Sequence, residues 1–420
     1  MLSRLKHLIK NKAKLFTKRK ILFRPNIPEI TPIFIEKANI PFQRRLNLLI
    51  PSLNKEHMFG GIATALSFFK SIMEELKQDQ NTAFRIIITD SGVPDRNITR
   101  KFLRFKITNK EEGSRFQILP FGDRLDKKLP VIEKDYFIAT AWWTAYLAKR
   151  IIKQQEYLFK KKHKFIYLIQ DYEPGFYNWS SRYILAESTY QNSENTIAVF
   201  NSSLLMNFFR KKGLCFWKHY YFEPRLNNNL RQFLTLKGKQ QKEKVILIYG
   251  RPYTPRNGFE LVKLVLEAWA CKDSRARYWK FISVGEKHPP LRLGAQKMIS
   301  LGKLPLEEYA RWLLRSAVGI SLMISPHPSY PPLEMANFGL LTITNKFANK
   351  DLSCWHTNIY SLDSLEPEAL TQALKKLVSL FEKNPQKSIK GQDLTGFYLS
   401  EDPIFPFLQE LIHELFEETC

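Results

Sequence analysis

Cysteine is scarce. Four residues in 420, Cys215, Cys271, Cys354 and Cys420, stand far apart and form no Cys-x-x-Cys pair or Cys/His cluster. That spacing argues against a disulfide scaffold and against structural zinc, and a reducing, cytoplasmic setting is the default expectation. Long hydrophobic runs are missing too: stretches such as VILIY and FIYLI are short and bounded by charge, far below the roughly 20 apolar residues that span a bilayer. No leader with an apolar core and a small-residue cleavage site opens the chain, so export is not expected. The histidines show no His-Glu-x-x-His spacing, and neither a Gly-x-x-x-x-Gly-Lys-Ser/Thr loop nor a Gly-x-Ser-x-Gly elbow occurs. Kinase, P-loop NTPase and serine-hydrolase chemistry fall away with them.

What is present is an ordinary globular composition, 44% hydrophobic and 25% charged, at a length that predicts two or three domains. Acidic residues are outnumbered, 40 against 65 basic, for a formal charge of +25. Such an excess calls for an anionic partner: a phosphorylated ligand, a lipid headgroup or nucleic acid. Nine Lys or Arg residues lie between Met1 and Arg24, and no acid precedes Glu29. Leu2, Leu5, Leu8, Ile9, Leu15 and Phe16 recur among them at roughly helical spacing, the pattern of a basic helix on an anionic membrane surface. Each basic residue near such a surface contributes about 1 kcal/mol. A solvated leader is the competing reading, and Pro25 and Pro28 end the segment either way.

From Arg45 onward, strand-like runs alternate with amphipathic helices. RLNLLI is followed by GGIATALSFFKSIMEEL, whose Ile62, Ala65, Leu66, Phe69, Ile72, Met73 and Leu76 share one helical face. FRIIIT, RFQIL, YFIA, FIYLI and TIAVF continue the series. Continuous apolar strands of this kind predict a parallel, doubly wound sheet. The polar stretch 224–244 reads as a linker. A second series then runs through VILIY, FISV, VGISLMI and LLTIT to the amphipathic helix PEALTQALKKLVSLFEK and a last apolar helix near Phe407 to Phe416. The expected organisation is a basic segment 1–44, a domain 45–223, a linker 224–244, a domain 245–385 and a helical segment 386–420. Ligands of such α/β domains bind at the carboxyl ends of the strands, which predicts a cleft between the two domains.

Two segments point to phosphate chemistry. VILIY leads into Gly250, Arg251 and Pro252, then Arg256, Asn257 and Gly258 ahead of a helix. A glycine at a strand end lets a ligand approach the backbone, and two nearby guanidinium forks suit a diphosphate. Two surface arginines around a turn is the plainer alternative. The second segment is SPHPSYPPLEMANFG, where Ser329 and Tyr330 precede two prolines suited to a helix's first turn, with Glu334 just inside it. Helix-end amides favour an anion, and a carboxylate there can accept from sugar hydroxyls; complementing the helix dipole is the simpler role for Glu334.

GRPYTPRNGFEL, SVGE, the long LGKLPLEEYARWLLRSAVGISLMISPHPSYPPLEMANFG stretch and TNKFANKDL resemble the donor domain of retaining GT-B glycosyltransferases, in particular the WsaF-like rhamnosyltransferases. YLIQDYEPGFYNWSSRYILAESTY resembles the same family's N-terminal half, and the likeness covers roughly residues 45–383. It implies two Rossmann-like domains facing each other across a cleft, and transfer of L-rhamnose from dTDP-rhamnose to a cell-surface glycan with retention. By the same resemblance Arg251 and Arg256 hold the diphosphate, Lys303 lies near phosphate or base, and Glu334 binds the ribose. Gly60 and Gly61 approach the donor, although a tight strand-to-helix turn explains that pair equally well. No metal or cofactor is implied. Pro326 stands where the wider family has its first donor-loop glutamate, Arg256 where it has lysine, and Gln170 where related enzymes often have histidine.

Asp171 and Glu173 follow FIYLI at a carboxyl end and are the candidates for orienting an acceptor hydroxyl. Trp142, Trp143, Tyr172, Phe176, Tyr177 and Trp179 are candidates for a sugar-stacking platform or, individually, for core packing. The expected partners are a nucleotide sugar, a glycan acceptor that a lipid carries, and the inner face of the cell membrane through residues 1–24. A UDP- or GDP-linked donor is the enzymatic alternative. A nucleic-acid binder, the other alternative, predicts basic and aromatic residues interleaved along one groove, whereas this charge concentrates in a leader and a linker.

Overall fold

The computed structural model describes residues 27–54, 60–92, 94 and 104–417. The amphipathic segment expected at 1–24 lies outside the described residues. The first domain is built on strands β2 (Arg44–Ile50), β3 (Thr82–Ile88), β4 (Lys106–Ile107), β5 (Phe116–Pro120), β7 (Asp135–Ala139), β8 (Phe165–Ile169), β9 (Thr196–Phe200) and β10 (Lys218–Tyr221). They form one sheet in the order β10-β9-β8-β7-β2-β3-β5-β4, and every pairing in it is parallel. A two-stranded parallel ribbon, β1 (Phe34–Lys37) with β6 (Lys128–Val131), lies beside it.

The second sheet joins β11 (Glu243–Gly250), β12 (Lys280–Gly285), β13 (Leu291–Leu293), β14 (Gln296–Gly302), β15 (Ser316–Ile320), β16 (Leu341–Asn345) and β17 (Ile359–Leu362). Their order is β13-β14-β12-β11-β15-β16-β17, and only the β13–β14 pairing is antiparallel.

Both sheets are covered on two faces, as their continuous apolar strands require. In the first domain Phe68, Phe69 and Ile72 of helix Gly60–Glu75 pack on one face, while Ala145, Ala148 and Ile151 of helix Trp142–Phe159 pack on the other. In the second, helices Phe259–Lys272 and Pro367–Lys383 fill one face. Leu306–Arg315 and Pro331–Asn337 fill the opposite one. Among the described residues no helix is long and apolar enough to cross a membrane.

At the amino ends of β2, β3 and β7 the sheet is pinned by buried charge. Asp135 accepts from Arg45 Nε at 2.7 Å and from Asn47 Nδ2 at 2.8 Å, and Asn47 Oδ1 accepts from Arg85 Nε at 2.7 Å. Fixing this end leaves the opposite, carboxyl end to loops that carry function.

Two segments differ from expectation. Within 1–44, residues 28–44 belong to the first domain: β1 pairs with β6, Ile33 is buried, and Glu29 bonds Arg182. The stretch 224–244 contains a helix, Asn228–Leu234, capped by the Asn227 side chain accepting from Asn229 N at 2.8 Å. Leu226 and Leu230 bury into the second domain's core with Phe233 and Leu234 against it, a helical spacing hidden among amides and lysines. The last apolar helix forms where it is expected, and it packs on the first domain. Helix Leu408–Phe416 places Leu408, Leu411 and Leu415 in the first domain's core, with Phe405 just before it, because its apolar face matches the surface of Gly60–Glu75.

Candidate active site

In each sheet the chain departs in opposite directions from two neighbouring strands, β2 and β7 in the first domain and β11 and β15 in the second. At such a switch point the following loops separate and leave a crevice at the carboxyl ends. The two crevices face each other and merge into a cleft of about 1020 Å³. Pro51 and Ser52 after β2 and Thr140 and Ala141 after β7 line one side, and Arg251 after β11 and Met323 and His327 after β15 line the other.

The second-domain wall carries the cations. Arg251 Nε donates to Glu286 Oε1 at 3.0 Å, and the same carboxylate accepts from Tyr253 N at 3.0 Å and Thr254 Oγ1 at 2.9 Å. Glu286 therefore fixes the whole loop between the two arginines. Arg256 lies 4.0 Å from the centroid of the Phe176 ring and its Nε is 3.8 Å from Asp171 Oδ2, both across the cleft. Burial lowers its pKa, Asp171 opposes that, and the Arg251 charge adds to the lowering. Two cations are thus held close enough to sense each other, which an anion between them relieves. Lys303 is exposed on the cleft lining.

Gly250 does not line the cleft. A Cβ there would stand 2.1 Å from Ser283 Oγ and 2.9 Å from Phe259 Cε2. The absent side chain serves packing within the domain, so the expectation that Gly250 opens the backbone to a ligand gives way to a structural reason.

In the proline-rich loop, Ser329 is buried with φ +68, a left-handed conformation unusual for a residue with a Cβ. Its N–H donates to His327 Nδ1 at 3.0 Å. Glu334 N donates to Tyr330 O at 2.9 Å, and Pro331 and Pro332 have no N–H to give. The helix start Pro331–Asn337 is therefore poorer in free amides than its position suggests, leaving those of Tyr330 and Leu333. Glu334 accepts from Tyr309 OH at 2.9 Å, and burial pushes its carboxyl up to about 7 against the lowering by that bond. Tyr330 OH reaches over the cleft to Asn201 Oδ1 at 3.2 Å.

On the first-domain wall, Gly60 and Gly61 start helix Gly60–Glu75 at the cleft. Neither has a positive φ. A Cβ at Gly60 would meet nothing within 4 Å, and one at Gly61 would press on the Gln170 side chain at 3.3 Å. Their bareness keeps this part of the cleft open. Gln170 donates to Thr140 O at 3.3 Å and its Oε1 has no protein partner. Asp171 is buried, accepts from Tyr172 N at 2.8 Å, and accepts from Ser325 Oγ of the other domain. Glu173 is buried and takes the Trp142 amide. Burial, with a smaller push from Asp171, raises it to about 8 despite the Trp142 bond. It is a protonated carboxyl at neutral pH.

The aromatic candidates divide. Trp142 and Tyr172 are core residues, Trp142 donating from Nε1 to Tyr177 OH at 2.9 Å and Tyr172 stacking on Tyr190. Trp143 and Phe176 line the cleft, and Trp143 Nε1 donates to Asp90 Oδ2 at 2.8 Å. Trp179 is 87% exposed and stacked on Tyr183, away from the cleft lining.

Residues 45–203 match the WsaF N-terminal domain and residues 244–375 match the WsaF C-terminal domain. The chain belongs to the WsaF family. It is similar to the O-antigen biosynthesis protein RfbC of Myxococcus xanthus, 31% identical over 212 residues that are 50% of this chain and 15% of that protein. This chain thus spans a small part of that relative's length. Among solved structures it resembles sucrose-phosphate synthase from Thermosynechococcus elongatus, with a TM-score of 0.55 at 10% identity, covering 89% of this chain and 99% of that one. It also resembles Anabaena HepE in complex with UDP and glucose, with a TM-score of 0.52 at 12% identity over 89% and 95% of the two chains. The fold is GT-B.

In this WsaF-family chain several cleft groups carry no motif that sequence reading can single out. His327 is buried, with Nδ1 accepting from Ser329 and Nε2 without a protein partner. Burial lowers its pKa to about 4, so the ring is neutral and its proton sits on Nε2, a donor in the cleft wall. Lys350 is buried, donates to Met323 O, and burial brings it to about 7 against the pull of Asp171. The segment TNKFANKDL contains it, but only the tertiary fold brings it within electrostatic reach of Asp171. Tyr309 and Glu286 stand in segments that carry the resemblance, but nothing in the sequence pairs them with Glu334 and the arginine loop that they set.

Proposed function

We propose that this protein is a glycosyltransferase of cell-surface polysaccharide biosynthesis that moves L-rhamnose from dTDP-rhamnose to a glycan acceptor with retention. The observation that carries the reading is a two-domain cleft in which two guanidinium groups and a ribose-suited carboxylate share one wall while carboxylates and bare glycines face them. Arg251 and Arg256 grip the diphosphate with forked donors, assisted by Lys303. Glu334 accepts from the ribose hydroxyls, held by Tyr309. Ser329 and Tyr330 shape the loop around the phosphates, and Gly60 and Gly61 leave room for the sugar. Asp171 and Glu173 orient the acceptor hydroxyl.

As the nucleotide leaves, negative charge grows on the diphosphate, and preorganised cations stabilise it without reorganising solvent. The two walls are already joined through Ser325 and Asp171, so closure over the donor excludes water that would otherwise hydrolyse it. The protein known as RfbC is named for O-antigen biosynthesis and HepE is solved with UDP and glucose; both names support a sugar nucleotide and a surface glycan for this chain. Residues 1–24 hold the enzyme at the inner face of the membrane beside a lipid-carried acceptor.

Thermal stabilisation by dTDP, UDP, GDP and single-stranded DNA, compared in one assay, tests the reading. dTDP should raise the midpoint most. Stabilisation by DNA alone removes the transferase reading, and preference for UDP or GDP moves the donor while keeping the reaction. Loss of binding to anionic vesicles on deleting residues 1–24 checks the membrane role.

A further inference from the structure

Beside the main cleft, where the chain passes from β10 to helix Asn228–Leu234, lies a second cavity of about 460 Å³. Phe222, Glu223, Arg225 and Ile404 line both spaces. The backbone around Arg225 is fixed: Phe222 N donates to Phe200 O at 3.0 Å and Leu226 N to Tyr398 O at 3.0 Å, with both side chains buried. Nevertheless the Nε and Nη1 of Arg225 are shielded from solvent and meet no hydrogen-bond acceptor. Glu223, two residues away, turns elsewhere, its Oε1 accepting from Ser203 N at 3.3 Å while Oε2 has no partner.

Two shielded guanidinium donors left unmet are unfavourable unless something completes them, and the cavities that Arg225 lines are where such a group enters. The rest of the second cavity is mostly apolar and aromatic, with Phe397, Pro403, Pro406 and Phe407 in its walls beside His219, Tyr220 and Tyr221. Forked donors beside apolar walls suit a phosphate ester whose substituent is apolar. The donor diphosphate already has Arg251 and Arg256 at the other side of the cleft. We infer that Arg225 forms a second anion subsite, which takes a phosphate ester of the acceptor at the junction of the two domains. Its assignment to the acceptor rests on the transferase reading; the existence of the subsite does not.

The test measures binding of inorganic phosphate to the full chain carrying Arg251→Gln and Arg256→Gln, which removes the proposed donor grip. One saturable phosphate site should persist, and adding Arg225→Gln should weaken it at least ten-fold with the circular dichroism spectrum unchanged. No saturable binding before that change, or undiminished binding after it, overturns the subsite. If Arg225→Gln does not fold, Arg225→Lys carries the test: losing the fork while keeping the charge should weaken binding several-fold, and unchanged affinity is again fatal. Farnesyl phosphate distinguishes the sources. Tighter binding than inorganic phosphate assigns a lipid-borne ester, equal binding a water-soluble one, and both must depend on Arg225. Nucleoside diphosphate affinity measured on the same variants separates the failures, because insensitivity to the Arg251 and Arg256 changes sinks the donor reading and leaves the Arg225 result standing.

Discussion

The two walls of the cleft grow from sheets of the same plan, yet they hold their charges differently. On the second-domain wall Arg251 is anchored from behind by Glu286, and Arg256 reaches across the cleft to Phe176 and Asp171. On the first-domain wall Glu173 is buried deeply enough to be protonated, and Asp171 is drawn across to Ser325. One wall thus presents cations and the other carboxyl groups, which suits the division between donor and acceptor proposed above. The lesson is that anchoring at a distance from the ligand, by Glu286 on one side and by the Trp142 amide on the other, is what lets identical architectures present opposite chemistry.

Breaking the cationic wall has the largest expected effect. Replacing Arg251 and Arg256 together with alanine should lower transfer by at least about a thousand-fold, since single preorganised donors of this kind contribute roughly a hundred- to a thousand-fold. Stabilisation by dTDP should vanish while the apo melting temperature moves little; retained turnover would show that the arginines are not the grip. Next comes Gly250→Ala. The clash with Ser283 and Phe259 should destabilise the fold by about 1–3 kcal/mol in chemical denaturation. Gly60→Ala, facing open space, should leave stability unchanged and reduce transfer. The reverse pattern would exchange the roles assigned to the two glycines.

The protonated carboxyl gives a pH signature. Glu173 in the folded chain binds a proton up to about 8, against 4.5 for an ordinary glutamate, so the folded state holds more protons across that window. Its stabilising contribution is complete below the lower value and declines as pH rises toward the upper one, by at most about 1.4 kcal/mol per pH unit. Glu173→Gln should flatten that part of the stability profile, and an unaltered slope between the two chains would mean the carboxyl is ionised. The smallest effect belongs to Trp179→Ala. Stability should shift by no more than about 0.5 kcal/mol, as for other exposed positions, and acceptor KM should stay within two-fold, whereas Trp143→Ala, on the cleft lining, should raise it.

Much of the scaffold was readable because its signals are local. Strands such as β8 and β9 are unbroken apolar runs, and Gly60–Glu75 and Pro367–Lys383 announce themselves by the period of their apolar faces. The helix at Asn228–Leu234 escaped notice because its few leucines are diluted by polar neighbours, and only the second domain's core gives them something to cover. Ten of the donor- and acceptor-site candidates line one cleft, with Trp143 and Phe176 of the stacking candidates, whereas Gly250, Trp142, Tyr172, Tyr177 and Trp179 do not. Lys350 and Tyr309 were not legible, since each matters through a neighbour farther along the chain, and the burial that sets His327 and Arg225 is equally missing from the local sequence.

Sequence by itself determined the alternation of strands and helices, the parallel sheets that follow from two-sided apolar strands, and the two arginines and one glutamate at strand and helix ends. Those properties depend on residues within a few positions of one another. Tertiary structure alone decided which carboxylates are protonated, that the C-terminal helix returns to the first domain, and that Arg225 stands unmet beside two cavities. Desolvation and charge coupling depend on what surrounds a group in space, and the chain order does not contain that neighbourhood.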